Sequence, residues 1–217
     1  MNTTSFVIIT VISLIIAFLS FFGIFRYFNL HFKKSENFIN NYKNLDKPKN
    51  NSKITISIGT TGKRLKNIRP MLNSILDQTV KVDEIFINIP ECSYEYEIPN
   101  DYKSIFTILP CGKNYGIATK FIPTLLREDN ADTKIIFLDD NYIYGKDFIE
   151  TLINESNSFD GVVTSNKGII LSPNNIDAKY LLNINNKTNY NHEWIEKTFK
   201  NKKKISYFEN YKTFRKI

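Results

Sequence analysis

The chain alternates short apolar runs with segments whose apolar side chains recur at helical spacing. In KITISIG at residues 53–59, isoleucine alternates with other residues, as in a strand. In residues 66–78, apolar side chains recur every three or four positions, as on one face of a helix, with Pro70 near its first turn. The same criteria predict further strands at 83–90, 104–110, 133–140, 160–165 and 168–172, and further helices at 116–129, 146–156 and 192–204. This alternation predicts an α/β domain at residues 53–217, with a mixed, mostly parallel sheet flanked by helices.

The N-terminal segment has a different pattern, because residues 6–25 (FVIITVISLIIAFLSFFGIF) contain no charged side chain. About 20 apolar residues in a helix cross the ~30 Å hydrocarbon core of a bilayer. A cleaved signal peptide has a shorter apolar core after a basic start, and no Lys or Arg precedes this run. We therefore predict one uncleaved N-terminal transmembrane helix within residues 1–26.

Residues 27–52 are polar and show no clear periodicity, which predicts a stalk between that helix and the domain. Arg26, Lys33 and Lys34 follow the apolar run, and no basic residue precedes it. The positive-inside rule then predicts a single-pass membrane protein with a cytosolic domain. One short flank leaves a lumenal placement open.

The composition is that of a globular protein, and the formal net charge of the 217 residues is +7. No nucleic-acid recognition motif accompanies this charge, so we predict no nucleic-acid partner. Cys92 and Cys111 are too few for a disulfide framework or a zinc site. Two reduced thiols are expected in the cytosol, but each follows a predicted strand, so the redox state of the pair stays open.

Two adjacent acids, Asp139 and Asp140, end the predicted strand at 133–140, and Asn141 follows them. Open α/β sheets bind their ligands at the carboxyl ends of strands. Adjacent carboxylates repel each other, and a hard divalent cation such as Mn²⁺ or Mg²⁺ relieves that repulsion, prefers oxygen ligands and takes further ligands from phosphates. The alternative is a solvated turn that ends the strand.

Three segments, taken in order, resemble the nucleotide-sugar glycosyltransferases of the inverting family 2 type, which have the Rossmann-like A-type glycosyltransferase fold. Residues 54–90 are similar to the first strand, loop, helix and second strand of that family, including SILDQT before DEI. NYGIATKFIPTL at 114–125 is similar to its middle segment. IIFLDDNYIYGKDFIETL at 135–152 is similar to the strand that carries the acidic metal motif, with a tyrosine and a short helix after it.

This resemblance implies a metal ion, Mn²⁺ or Mg²⁺, that holds a nucleotide-sugar donor. The three positions of the acidic motif correspond to Asp139, Asp140 and Asn141. The last position usually supplies an acid, and the carbonyl oxygen of Asn141 is a neutral and weaker ligand. Asp140 is expected to compensate.

The resemblance also implies donor-binding residues besides the two acids. Thr60, Thr61 and Gly62 match the loop after the first strand, where the nucleotide would lie, and a plain turn is an equally good alternative. Lys120 is the candidate for the diphosphate, because Lys binds phosphate as a point charge. Its alternative is a solvated lysine on a helix face.

Inverting transfer needs a general base that takes the proton of the acceptor hydroxyl. The family places an acid late in the domain, and NYNHEWIEKTF at 189–199 is the segment that fits. Glu193 is the first candidate and His192 the second. Either residue is also accounted for by the favourable position of polar side chains near a helix N-terminus.

The sequence thus predicts a membrane-anchored glycosyltransferase. It would transfer a sugar from a nucleotide-sugar donor to a hydroxyl of a glycan, lipid or protein, with metal assistance and with inversion. The alternative is a catalytically weak or inactive relative that serves as a binding or scaffold protein at the membrane. Asn141 and the short segment after the acids favour this alternative, and the order of the other segments favours the enzyme.

Overall fold

The computed structural model describes residues 3–21, 23–49, 52–90, 98, 100–165, 167–176 and 197–204. The helices in these ranges are α1 (Thr3–Phe21), α2 (Ile24–Phe32), α3 (Ser35–Lys43), α4 (Gly62–Leu65), α5 (Arg69–Leu76), α6 (Ile122–Arg127) and α7 (Phe148–Asn157). The strands are β1 (Ile54–Gly59), β2 (Glu84–Pro90), β3 (Phe106–Cys111), β4 (Lys134–Asp139), β5 (Val162–Thr164), β6 (Gly168–Leu171) and β7 (Lys202–Lys204). Short 3₁₀ turns occur at Asn100–Ser104, Gly116–Lys120 and Pro173–Asn175.

The strands form one sheet in the order β3-β2-β1-β4-β6-β5-β7. β3, β2, β1 and β4 are mutually parallel, and β6 runs antiparallel to both β4 and β5. The prediction of a mixed, mostly parallel sheet flanked by helices is therefore confirmed.

The two faces of the sheet are covered by different helices. The alternate side chains Ile54, Ile56 and Ile58 of β1 pack in a core with buried residues of α2, α3, α5 and α7. On the other face, Phe137 of β4 packs with Phe121 and other buried residues around α6. This alternation follows from the two-residue period of a strand, and it decides which side chains meet at the sheet edge.

Proline determines where two of the helices begin. Pro70 lies in the first turn of α5, as predicted. The predicted helix at 116–129 is divided into the 3₁₀ turn Gly116–Lys120 and α6, with Pro123 in the first turn of α6. A proline inside one continuous helix would remove a hydrogen bond and clash with the preceding turn, whereas the first turn tolerates it.

The basic end of the predicted helix at 192–204 is instead the strand β7, which pairs in parallel with β5. Among the described residues β7 is the last strand of the sheet on that side. Lysines on an edge strand are common, because their charge discourages pairing with other chains.

The prediction of one transmembrane helix within residues 1–26 is wrong. Gly23, in the left-handed conformation at φ 65°, interrupts the apolar run, and the axes of Thr4–Ser20 and Ile24–Phe32 differ by 68°. No single helix in the described ranges is long and apolar enough to cross a membrane, and only this bent pair meets the length and composition criteria jointly. The single-pass location, with its cytosolic or lumenal domain, depended on one continuous helix and is corrected with it.

Residues 27–52 also differ from the predicted stalk. Leu30 at the end of α2 and Phe38, Ile39 and Tyr42 of α3 are buried in the same core as β1 and α5. The Tyr42 hydroxyl accepts a hydrogen bond of 3.0 Å from the backbone N–H of Val82. The apolar residues of α3 have helical spacing, but the run is short and the polar residues around it hide the pattern.

Candidate functional site

The sheet register brings the predicted site segments together. Gly59 at the end of β1 lies beside Asn88 of β2 and beside Asp139 of β4. Because these strands are parallel, the loop that begins at Thr60 and the residues that follow Asp139 leave the sheet at the same edge. This is the edge at which open α/β sheets bind ligands.

Asp140 is the acid that contacts the loop after β1. Its Oδ2 accepts a hydrogen bond of 2.6 Å from the Thr60 hydroxyl, and its Oδ1 accepts one of 2.7 Å from Nη1 of Arg64. The Asp140 side chain is 4% exposed and the Arg64 side chain 62% exposed. Sequence reasoning missed Arg64, although it lies in the TTGKR segment next to the predicted loop. Both carboxylate oxygens of Asp140 are thus occupied by partners on the α4 side of the sheet.

Asp139 has a different partner on the other side of the sheet. Its Oδ1 forms an ion pair with Nζ of Lys120, the predicted diphosphate ligand. The side chain of Asp139 is 41% exposed and that of Lys120 is 15% exposed. Consecutive residues at the end of a strand point to opposite faces, so the two adjacent carboxylates are directed apart.

Lys120 is held in place by contacts of its backbone. A Cβ at Gly59 would lie 2.8 Å from the backbone N of Lys120, so only glycine permits this close approach. The Ser57 hydroxyl donates a hydrogen bond of 2.6 Å to the Lys120 carbonyl. Nδ2 of Asn88 donates to the hydroxyl oxygens of Ser57 at 2.9 Å and of Thr124 at 3.0 Å. This buried polar network fixes the Gly116–Lys120 turn against β1 and β2.

Tyr144 fixes the backbone of Asp139. Its hydroxyl oxygen accepts a hydrogen bond of 2.8 Å from the Asp139 N–H. The same hydroxyl lies at donating distance from two carbonyl oxygens, those of Asp139 at 2.8 Å and Lys167 at 3.1 Å. Burial, and secondarily the charge of Asp139, raises the pKa of Tyr144 well above its ordinary value, so the hydroxyl keeps its proton.

Gln78, the Gln of SILDQT, anchors the segment that follows the acids. Its Nε2 donates hydrogen bonds to the carbonyls of Ser74 at 2.8 Å and Gly145 at 2.6 Å. Its Oε1 accepts a hydrogen bond of 3.0 Å from the N–H of Ile149, in the first turn of α7. The end of α5 is thereby joined to the start of α7, so this motif has a structural role behind the site.

Thr61 and Gly62 belong to the start of a short helix. The Thr61 carbonyl accepts hydrogen bonds from the N–H groups of Arg64 at 2.9 Å and Leu65 at 3.2 Å. Thr61 is exposed and Gly62 is buried. Of the predicted loop, Thr61 therefore presents a side chain that a ligand could reach, while Thr60 is engaged by Asp140.

Several predicted residues lie outside the described residues, namely the base candidates Glu193 and His192, and Cys92. The thiol of Cys111 is buried at the end of β3, and burial raises its pKa to about 11, so it is protonated at neutral pH.

The predicted metal ligands do not converge. Asp140 is committed to Thr60 and Arg64, while Asp139 is paired with Lys120 on the opposite face. Oδ1 of Asn141 is buried and accepts no hydrogen bond from any described residue. Within the described ranges no three His, Cys, Asp or Glu side chains are grouped as metal ligands. The set Asp139, Asp140 and Asn141 therefore does not fit the predicted Mn²⁺ or Mg²⁺ ion.

A cleft of about 560 Å³ lies at the opposite edge of the sheet. Its walls include Asp132 and Lys134 at the start of β4, and Asp160 and Gly161 before β5. None of the predicted site residues lines it.

Comparison with known proteins supports the fold. No protein-family model matches the chain, and no curated protein sequence matches it. The structure is similar to 4-diphosphocytidyl-2C-methyl-D-erythritol synthase from Anaerococcus prevotii DSM 20548, with a TM-score of 0.50 and 10% sequence identity over 72% of this chain and 90% of that chain. This likeness is one of fold, and it agrees with the predicted Rossmann-like α/β architecture.

Two further similar structures have lower TM-scores. One is a candidate nucleotide-diphospho-sugar transferase from Desulfovibrio desulfuricans G20, with a TM-score of 0.42 and 8% identity over 70% of this chain and 80% of that chain. The other is a candidate glucose-1-phosphate thymidylyltransferase from Bacillus anthracis, with a TM-score of 0.41 and 14% identity over 71% of this chain and 87% of that chain. Membership of the inverting family 2 is shown by none of the three.

Proposed function

We propose that this chain is a glycosyltransferase of the inverting family 2 type, which transfers a sugar from a nucleotide-sugar donor to a hydroxyl of a glycan, lipid or protein. The observation that supports it most is the 2.6 Å hydrogen bond between Thr60 and Asp140. This bond joins the loop after β1 to the acidic motif after β4, at the edge where such sheets bind nucleotides.

The proposed roles follow from the positions of these residues. Thr61 is exposed at the loop and contacts the nucleotide. Lys120 interacts with the diphosphate, and Asp139, which is partly exposed, accepts hydrogen bonds from the donor. Thr60 and Asp140 position the loop and Arg64.

The proposed reaction is a single displacement at the anomeric carbon. The acceptor oxygen forms a bond to this carbon while the bond to the diphosphate oxygen breaks, and the nucleoside diphosphate leaves with the electron pair. The hydroxyl proton moves to Glu193, or to His192 as the second candidate. Attack opposite the leaving group inverts the configuration.

A second candidate is a nucleotide-sugar-binding protein without transferase activity. The buried Asp140 and the amide at Asn141 favour it, because both differ from an acidic motif open to a metal-bound donor. This candidate predicts the same ligands but no turnover.

A binding screen followed by product analysis separates these functions. The purified full chain is heated with each of a panel of nucleoside diphosphate sugars and nucleoside triphosphates, with and without Mn²⁺. We expect at least one nucleotide sugar to raise the Tm, and the Asp139→Ala variant to lose that shift. The matched control is Asp129→Ala, an exposed acid of the α6–β4 connection.

Mass spectrometry then follows the stabilising donor in the presence of simple glycosides as acceptors. A glycosylated product with release of the nucleoside diphosphate supports the transferase. Binding without turnover favours the binding protein. Stabilisation by a nucleoside triphosphate alone, with release of pyrophosphate, would contradict both and indicate nucleotidyl transfer.

A further inference from the structure

Side-chain cations already neutralise both acids of the motif. The sequence suggested a metal ion because two adjacent carboxylates repel each other and need a counter-charge. The structure relieves this repulsion in two ways, by the direction of the side chains and by ion pairing. The carboxylates point to opposite faces of the sheet, and each forms an ion pair, Asp139 with Lys120 and Asp140 with Arg64.

We propose that this sheet edge binds the diphosphate of its nucleotide ligand across the end of β4, with Arg64 on one face and Lys120 on the other, and without a divalent cation. The two cations are paired with consecutive residues, Asp140 and Asp139, so a diphosphate lying over the edge would lie between them. The inference rests on the proposed function for the kind of ligand. It departs from the metal-held donor that the resemblance implies.

Arg64 has the donors that such a role needs. One guanidinium nitrogen, Nη1, is used by Asp140, and the side chain is largely exposed. A guanidinium carries five N–H donors and can bind phosphate in a bidentate manner, so most of its donors remain for a ligand. The buried carboxylate of Asp140 orients the group, which lowers the entropy that Arg64 loses on binding.

Lys120 supplies the second cation from the other side of β1. Its backbone is fixed by Gly59 and Ser57, so the start of its side chain has a defined position. Its Nζ lies beside Asp139, whose side chain is the more exposed of the two. An ammonium group has three N–H donors, so it can keep Asp139 and still donate to a phosphate oxygen.

The charge balance of the edge also favours an anion. Lys63 precedes Arg64 in α4 and is exposed. The two ion pairs at the edge balance each other, because Arg64 and Lys120 match the two carboxylates in number. Lys63 adds a positive charge on the α4 side, which favours an anion without any added metal ion.

Among the described residues, few side chains at this edge could serve as ligands of a metal ion. Asp140 would have to leave Thr60 and Arg64 to reach an ion on the side of Asp139. Without it, one carboxylate shared with Lys120 and one neutral amide remain, where hard cations prefer charged oxygen ligands.

The inference is tested by calorimetric titration of the full chain. The ligands are UDP, CDP, GDP, ADP and inorganic pyrophosphate, and each is titrated once in EDTA and once in Mn²⁺. We expect the Kd of the binding nucleotide to agree in the two buffers within about twofold. Arg64→Ala and Lys120→Ala should each weaken binding about tenfold or more, because a charge-assisted hydrogen bond is lost. The matched controls Arg127→Ala and Lys200→Ala, which alter exposed cations away from this edge, should leave the Kd unchanged.

Two further variants test the charge at position 64 and the need for a metal ion in chains that should remain folded. Arg64→Lys keeps a cation beside Asp140, so it should remain folded and bind with intermediate affinity. Asn141→Asp restores the acid of the motif, and we expect nucleotide binding to become stronger in Mn²⁺ than in EDTA only in this variant.

The outcomes distinguish the inference from the function on which it rests. Nucleotide binding by the unmodified chain that requires Mn²⁺ and is lost in EDTA overturns the metal-free site but leaves the transferase proposal standing. Unchanged affinity in the folded Arg64 and Lys120 variants also overturns it. If no nucleotide binds in either buffer, the proposed function itself fails.

Discussion

Asp139 and Asp140 are adjacent in the chain, but their side chains have very different surroundings. Asp140 is almost fully buried against Thr60 and Arg64, whereas Asp139 is partly exposed and contacts Lys120. The strand pleat separates them, since neighbouring side chains leave a strand on opposite faces. Two acids that are adjacent in sequence therefore act as two separate charged groups.

The Tyr144 hydroxyl joins Asp139, the last residue of β4, to Lys167, the residue before β6. We expect Tyr144→Phe to lower the free energy of unfolding by about 1–3 kcal/mol, since the N–H of Asp139 loses its buried acceptor. Urea denaturation of both chains measures this difference. Tyr142→Phe is the matched control, because Tyr142 is only partly buried. Equal losses in the two variants would show that the hydroxyl of Tyr144 contributes nothing specific.

At the scale of elements, one acid determines how β1 and β2 begin. Oδ2 of Asp83 accepts a hydrogen bond of 2.8 Å from the Ile54 N–H, and the Asp83 N–H donates one of 2.9 Å to the Ile54 carbonyl. Lys47 forms an ion pair with the same carboxylate. These contacts therefore hold the starts of β1 and β2 in register.

The pKa of Asp83 gives this contact a pH dependence. Burial alone would raise this pKa, but hydrogen bonds from Lys47 and Ile54, with the charges of Lys47 and Lys53, outweigh it and hold the pKa below its ordinary value of 3.8. A carboxyl with a lowered folded-state pKa stabilises the fold fully above its ordinary pKa. That contribution is lost as the pH falls through the lowered folded-state pKa.

Asp83→Asn should therefore destabilise the chain near neutral pH and flatten the acid limb of its stability curve. The expected loss at pH 7 is about 1 kcal/mol, the difference between a charged and a neutral hydrogen-bond acceptor. Denaturation at a series of pH values between 3 and 7 measures it, with the exposed Asp129→Asn as control. A loss that is constant over this range would contradict the linkage to the Asp83 carboxyl.

At the scale of the whole molecule, the α/β core extends beyond the predicted domain boundary at residue 53. Side chains of α2 and α3 fill the same core as the isoleucines of β1. Arg26 of α2 also donates a hydrogen bond of 2.7 Å to Asp77, after the end of α5. These two helices are therefore structural parts of the α/β unit.

Two truncated chains test whether α2 and α3 belong to the α/β unit. A chain that begins at Ile24 lacks α1 and should keep most of the free energy of unfolding, because the large apolar side chains of α1 are mostly exposed. A chain that begins at Ser52 loses Leu30, Phe38, Ile39 and Tyr42 from the core. Burial of one such side chain contributes about 1.5–3 kcal/mol, and a whole domain is stable by only about 5–15 kcal/mol.

We therefore expect the shorter chain to lose its cooperative unfolding transition, as measured by circular dichroism during heating. The chain from Ile24 is its internal control. A cooperative transition of unchanged Tm in the chain from Ser52 would show that residues 27–51 are a linker after all.

The sequence predicts the central part of this molecule well, because periodicity and proline positions are local signals. The alternating isoleucines of β1, the apolar run of β4 and the position of Pro70 were each sufficient for the element that contains them. Other features lack such signals. β7 consists of three lysines, and α2, which follows the bend at Gly23, contacts α5 through residues distant in sequence, such as Leu30 and Asn73.

In the candidate site, too, some features follow from local sequence signals and others do not. Parallel topology alone predicts that the Thr60 loop and the acids share one edge. The pairing of Arg64 with Asp140 joins residues 76 positions apart, and it depends on the direction in which each side chain leaves its strand or helix. No pattern along the chain carries that information.

The contact between Gly59 and Lys120 has a practical consequence for protein engineering. Any side chain at position 59 would displace the backbone of Lys120, so this position tolerates no variation in a mutant library. Thr61 and Lys63, a few residues along, are exposed and free of that restriction. Randomising these two positions while keeping Gly59 therefore varies the exposed loop after β1 and leaves the backbone of Lys120 undisturbed.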